Sequence, residues 1–205
     1  MYRTQGFTLI ELMATVAMAA IVLTLGVPSM QSTINSNRAS SYASRLITAL
    51  NLARSEAVKR GVPVTVCKAN LSGGTPDCDA NDCDGSSGAS CWEKGWLVFV
   101  DANGNGVLNE DADKASCAGD ECTLRVFEAL PDKVTLRPLG TDLALWISYR
   151  ASGSARGSGP DGDGSIVNDT FRLCAGTDGI YSRSIAIATG GRARVYKGTE
   201  ATPCP

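Results

Sequence analysis

An apolar run from Phe7 to Val27, interrupted by a single carboxylate, constrains this chain more than any other feature. Between Arg3 and Arg38 the only ionisable side chain is Glu11. As a helix the run would measure roughly 31 Å, enough to cross the hydrocarbon core of a bilayer. Arg3, in the short leader Met1 to Gly6, favours keeping the amino terminus in the cytoplasm. A carboxylate in lipid costs on the order of several kcal/mol unless it meets a cation or a hydrogen-bond donor, so Glu11 demands a specific partner. A cleaved secretory signal competes, with Ala17-Met18-Ala19 as its processing site, as does a plain unprocessed anchor. The early carboxylate, and the way the run flows into a second helix-compatible stretch instead of a polar cleavage region, weigh against secretion.

Gly26-Val27-Pro28 predicts a kink or a short melted turn, because proline removes a helical donor and restricts the residue before it. Beyond it, from about Gln31 to Lys59, Tyr42, Leu46, Ala49, Leu50, Ala53 and Ala57 recur at three- and four-residue spacing. Arg45, Arg54, Glu56 and Lys59 fall away from that stripe. The pattern predicts an amphipathic helix packed on a globular head, and a continuous helix from Phe7 to Arg60 would reach roughly 80 Å.

After Gly61 the pattern turns to short strands: Val62–Cys67, Trp96–Val100, Leu124–Glu128, Val134–Arg137, Leu145–Tyr149, Thr170–Cys174, Ser184–Ala188 and Arg192–Tyr196. Gly190-Gly191 predicts a tight hairpin between the last two. Asn70 to Ser90 reads as a pinned surface loop, and the Gly/Ser-rich segment Ala151 to Ser165 as a mobile one.

All eight cysteines lie in this second part, and the chain has no histidine and no Cys-x-x-Cys pair. That usage fits a disulfide framework rather than zinc, and places the head outside the reducing cytosol. Connectivity is not legible in sequence. Proximity favours Cys78 with Cys83 and Cys117 with Cys122; Cys174 with Cys204 would tie down the carboxy terminus, which leaves Cys67 with Cys91. A net charge of −2 is too small to predict a nucleic-acid partner from bulk electrostatics, so any basic site must be local. Without histidine there is no imidazole base, and no glycine-rich phosphate loop joins a strand to a helix, so no enzyme is expected.

Two stretches are candidate sites. Asp101, Asn103 and Asn105 alternate as oxygen donors, with Gly106 at the sixth position, Val107 offering a carbonyl and Asn109 at the ninth, as in the first part of an EF-hand-type calcium loop. The twelfth position is Ala112 in place of an acid; Glu110, Asp111 or Asp113 could substitute, and the competing reading is a simple hairpin turn. The other stretch is Gly191-Arg192-Ala193-Arg194, with Arg183 and Lys197 nearby. On an extended segment Arg192 and Arg194 share a face about 7 Å apart, near the spacing of successive phosphates, although an exposed strand can also carry arginines for solubility.

Gly6-Phe7-Thr8-Leu9-Ile10-Glu11 resembles the class III signal of type IV pilins and type II secretion pseudopilins. The resemblance implies cleavage between Gly6 and Phe7, methylation of the new Phe7 amine, and a role for Glu11 in assembly. Asn51–Val58, Gly95–Gly106, Phe171–Cys174, Arg183–Ile187 and Gly191–Arg194 together resemble the FimT/FimU and GspH group of minor pilins over essentially the whole chain. The resemblance implies an α+β, type IV pilin-like fold, a long N-terminal helix packed against a disulfide-stapled antiparallel head. Its expected parts are a leader (1–6), a membrane and filament-core helix (7–28), an amphipathic helix (29–60) and a β-rich head (61–205). The implied partners are other major and minor pilins, a prepilin peptidase and the inner membrane, with the head in the periplasm or outside the cell after assembly. In FimT-like members a Gly-Arg-x-Arg motif is implicated in binding double-stranded DNA for natural transformation, which would assign phosphate contacts to Arg192 and Arg194, supported by Arg183 and Lys197. A pseudopilin of the type II secretion system is the alternative.

Overall fold

The computed structural model describes residues 6–71, 76–78, 91–109, 121–159, 164, 166–175 and 181–197, without the side chains of 25–29, 32 and 181. Two compact units, Met1–Asn37 and Arg38–Pro205, divide the chain.

The first unit is helical from Leu9, and the helix α1 (Leu9–Arg60) carries on into the second. The hydroxyl of Thr8 accepts the Glu11 N–H at 3.3 Å, which satisfies one of the orphan donors of the first turn. Glu11 sits in that first turn, where its charge complements the helix dipole. No melted turn occurs at Pro28: the backbone is helical on both sides of it. A proline leaves one carbonyl of the preceding turn without its helical partner, a local loss that the surrounding helix can absorb. Apolar side chains of this unit are exposed, among them Phe7, Leu9, Ile10, Leu12, Val16, Ile21 and Leu23. Among the described residues no helix is long and apolar enough to cross a membrane. The expected span Phe7 to Val27 runs into positions 25–29, whose side chains lie outside the described set.

In the second unit the predicted stripe is buried: Leu46, Ala49, Leu50, Ala53 and Ala57, joined by Ala39 and Ala43. These residues share one core cluster with the strands. Arg45 and Arg54 flank the stripe and reach over its rim. The Arg45 guanidinium donates to the Glu128 carbonyl at 3.0 Å and lies 5.8 Å from the Trp96 ring centroid. At the C-terminal end Arg60 pairs with Glu56 at 2.6 Å, which holds the Glu56 carboxyl below its ordinary range.

Among the described residues ten strands follow: β1 (Val64–Asn70), β2 (Asp77–Cys78), β3 (Trp96–Val100), β4 (Cys122–Phe127), β5 (Val134–Pro138), β6 (Trp146–Tyr149), β7 (Ala155–Gly157), β8 (Asp169–Ala175), β9 (Tyr181–Ile187) and β10 (Ala193–Lys197). One sheet has the order β4-β3-β1-β6-β7, with β2 added to β1; the other is β10-β9-β8-β5, and the strand pairs are antiparallel. The α+β expectation therefore holds. Val64 and Val66 of β1 face the main core beside the helix stripe, together with Trp92, Trp96, Phe171 and Ile185. Trp92 meets Phe171 edge-to-face at 4.9 Å and donates its indole N–H to the Leu143 carbonyl at 3.0 Å, linking the two sheets. The alternate residues Cys67 and Ala69 face the other way, where Leu97, Phe99, Leu108 and Trp146 build a second, smaller cluster.

Three expectations are corrected. The segment from Ala151 to Ser165, expected to be mobile, contains β7, which pairs with β6, and Arg156 forms a bridge with Ile166. Composition concealed this because the glycine there has a packing role: Gly157 lies against the Asp142 carbonyl, where no Cβ would fit. In the loop expected over Asn70 to Ser90, β2 turns back on β1, with Ala69 opposite Cys78. That pairing brings Cys67 to Cys78, their Cα atoms 5.6 Å apart, and the two are disulfide-bonded. The expected pairs Cys67 with Cys91 and Cys78 with Cys83 are thereby excluded, because strand pairing rather than sequence proximity decides which sulfurs meet. Cys91, Cys122 and Cys174 are also disulfide-bonded, each to a partner outside the described residues, where Cys83, Cys117 and Cys204 lie.

Candidate functional site

The basic stretch forms the hairpin that the glycine pair predicted. Ala193 pairs with Ile187, the Ala188 N–H donates to the Arg192 carbonyl at 3.0 Å, and the Gly191 N–H donates to Ala188 at 2.7 Å. Gly191 has a φ of 76° and is pressed against Tyr149, Gly153 and Ala155, whereas Gly190 has open space around its Cα. From the helix, Arg54 donates to the Gly190 carbonyl at 3.2 Å, so the turn is tied to α1. Tyr149 beneath it is fully buried, and burial drives its phenol pKa far above the ordinary value despite the opposing field of Arg54.

The register of β9 with β10 separates the four expected basic residues. Arg194 lies opposite Ala186, and Tyr196 opposite Ser184; with Arg192 they line one side of a groove of about 380 Å³ floored by Asn168, Asp169 and Thr170. Lys197 lies opposite Arg183, on the alternate face. Arg183 is turned toward the helix, donating to the Ser40 hydroxyl at 3.0 Å and to the Ser182 carbonyl at 2.9 Å. Arg192 and Arg194 therefore line one groove, and Arg183 and Lys197 do not join them. Lys197, expected to support Arg192 and Arg194, is set on the other side by the period-two alternation of β10, and the pairing of Arg183 with Ser40 depends on packing between distant segments that leaves no sequence signal. The acidic Asp169 belongs to the groove as well, with one carboxylate oxygen accepting from Gly140 at 2.9 Å and Thr170 at 2.6 Å, and the other buried without a partner.

The second stretch, Asp101 to Asn109, crosses the end of β3 on the face of the smaller cluster. Asp101 is fully buried; its carboxylate accepts from the Thr65 hydroxyl at 2.7 Å and from the N–H groups of Asn105 at 3.1 Å and Gly106 at 2.9 Å. Asn103 accepts from the Asn105 N–H at 2.9 Å, and Asn105 from the Val107 N–H at 2.8 Å. Gly106, with a φ of 76°, lies flat against the Trp146 indole, and Leu108 enters the cluster beside it. Among the described residues no three His, Cys, Asp or Glu side chains gather where they could hold a metal. Glu110, Asp111 and Asp113 lie outside the described residues. The sequence reading overlooked Glu121: nearly buried, it accepts the Asn109 N–H at 2.9 Å.

At the amino terminus, Gly6, Phe7 and Glu11 are exposed. Thr8 and Glu11 stand at the cap and third positions of a helix start, a pairing that often closes reciprocally as a capping box.

The chain thus combines an amino-terminal helix, buried in its second half against a disulfide-stapled antiparallel head, with exposed apolar side chains in its first half. The chain belongs to the GspH family: the family model for the type II transport protein GspH matches residues 42–191, and the prokaryotic N-terminal methylation motif matches residues 1–27. Two crystal structures of the Pseudomonas aeruginosa type IV minor pilin FimU are similar. In space group P65 the identity is 21%, the TM-score 0.46, and 77% of this chain and 91% of that one are covered. In space group P21 the corresponding values are 20%, 0.48, 82% and 93%. Comparison with curated proteins finds no match.

The contrast at the hairpin glycines is testable. Gly191→Ala combines a left-handed φ with backbone in the path of its methyl, and is expected to lower stability by about 1–3 kcal/mol in thermal or urea unfolding. Gly190→Ala, one residue away in open space, should stay within about 0.5 kcal/mol of the parent.

Proposed function

We propose that this protein is a minor type IV pilin, stored in the inner membrane, processed between Gly6 and Phe7, and inserted through its helix into a filament at or near the tip, where it primes assembly. The observation that carries the proposal is the amino-terminal methylation motif, matched over 1–27, on a helix whose apolar residues find no cover in the monomer. An apolar surface of this kind is satisfied only by lipid or by other helices, and storage in membrane followed by packing in a filament provides each in turn. Other major and minor pilins and a prepilin peptidase are the partners this route requires.

Electrostatics gives Glu11 its part. Cleavage would leave the Phe7 ammonium just ahead of the helix start, where the helix dipole disfavours positive charge. A neighbouring subunit's Glu11 relieves that charge, and the ammonium relieves the carboxylate, so the pair fixes the axial stagger of adjacent helices. Glu11→Ala is therefore expected to be inserted and processed at the normal rate but to be depleted at least severalfold from sheared filaments, read by immunoblot. Normal incorporation would refute the assembly role.

Arg192 and Arg194 favour a second activity, capture of double-stranded DNA through phosphate contacts. Their side chains share one groove, which supports the reading, while the separation of Arg183 and Lys197 narrows it to two residues. Retention of DNA should fall with rising salt and be lost in an Arg192→Ala, Arg194→Ala double variant, whereas Lys197→Ala should retain most binding. Equal retention by the double variant and the parent would sink it. The GspH match equally allows a pseudopilus. In a deletion strain, loss of surface pili favours the pilus, and defective export with normal pili favours the secretion system.

A further inference from the structure

We propose that the loop Asp101–Asn109 after β3 is a calcium site completed by Glu121, a residue far outside the expected loop. In sequence, Asp101, Asn103, Asn105 and the Val107 carbonyl supply a run of oxygens but lack the closing acid, since position 112 is alanine. In the structure that acid arrives from the other strand. Val100, the last residue of β3, pairs with Cys122, the first of β4. Asp101 directly follows that pair on one strand and Glu121 directly precedes it on the other, so both stand at the same end of the β3–β4 ladder.

Both residues are buried, Asp101 to 0% exposure and Glu121 to 6%. Burying a carboxylate is costly unless its charge is paired, and among the described residues neither has an ion-pair partner. Asp101 has its hydrogen bonds to Thr65, Asn105 and Gly106 to orient it. Glu121 is anchored by one oxygen only, Oε2, which accepts the Asn109 N–H at the ninth loop position; Oε1 is buried with no partner at all. A buried carboxylate oxygen left without a donor is costly, and a bound cation removes that cost. The all-oxygen set of two carboxylates, two amides and a carbonyl suits a hard ion, and the limited charge places affinity near the 0.1–1 mM typical of extracellular modules, about what a head outside the cytosol can use. Asn109, expected as a ligand, serves instead through its backbone N–H to hold Glu121. Metal binding would clamp the open end of the β3–β4 hairpin on the face that carries the Cys67–Cys78 bridge.

The site brings its own reporter, because the Trp146 indole lies against Gly106 in the loop. Full-length protein in detergent, titrated with terbium and excited through tryptophan, is expected to show sensitised emission that calcium displaces and magnesium at equal concentration does not. Calcium should also raise the melting temperature. Glu121→Gln, which keeps the shape and the hydrogen-bond acceptor, should weaken calcium at least tenfold. Asn103→Ala, an exposed loop change that removes one hydrogen bond to the Asn105 N–H, should weaken it as well, with a melting temperature in chelator only slightly below the parent's. No calcium-dependent shift up to 10 mM, on the order of ten times the upper affinity bound, would overturn the site. Equal binding by parent and both variants, or equal displacement by magnesium, would overturn it too.

Discussion

The burial of an alanine-rich helical stripe is the constraint on which the head depends. Ala39, Ala43, Ala49, Ala53 and Ala57 lose all exposure and leave Leu46 and Leu50 as the large side chains that reach into the sheets. Val64, Val66, Trp92 and Trp96 join them in one buried core. The strands then inherit their faces: residues alternating with Val64 and Val66 are turned outward, and these carry the disulfide, the Asp101 loop and the smaller cluster. One helix surface thus decides which side of the first sheet is interior and which side is free to carry sites.

The two halves of α1 make opposite use of similar composition. In the second unit the apolar positions form a stripe with polar flanks, and the head covers it. In the first unit apolar side chains occur around the helix and remain exposed. A polar flank would be a liability in lipid or among packed helices, and an all-round apolar surface would be one in water. The sequence difference between Phe7–Thr24 and Arg38–Arg60 therefore encodes two environments within one element.

Much of this was legible because period and burial coincide. The helix stripe from Tyr42 to Ala57, strand β3 and the Gly190-Gly191 hairpin follow from spacing and turn chemistry alone. What was missed has a common physical origin in long-range pairing. Strands β2 and β7 are short and lie in segments whose glycines, serines and aspartates read as loop; only their pairing with β1 and β6 makes them strands. The Cys67–Cys78 bridge followed from that same hidden hairpin. Glu121 escaped notice because it lies outside the contiguous loop motif, and only the fold brings it to the Asn109 N–H. Arg183 looked like a surface cation and is instead a tether to Ser40 on the helix.

The central claim is that the amino terminus is an assembly element rather than a secretion signal or a plain anchor, and the mature protein carries the answer in its mass. Intact-mass and N-terminal peptide measurement of the chain recovered from sheared surface filaments is the direct test. The expected product begins at Phe7 with a single added methyl group and is recovered with the filament fraction. A chain that retains Met1 to Gly6, one that begins after Ala19, or one recovered only as free soluble protein would contradict the assignment.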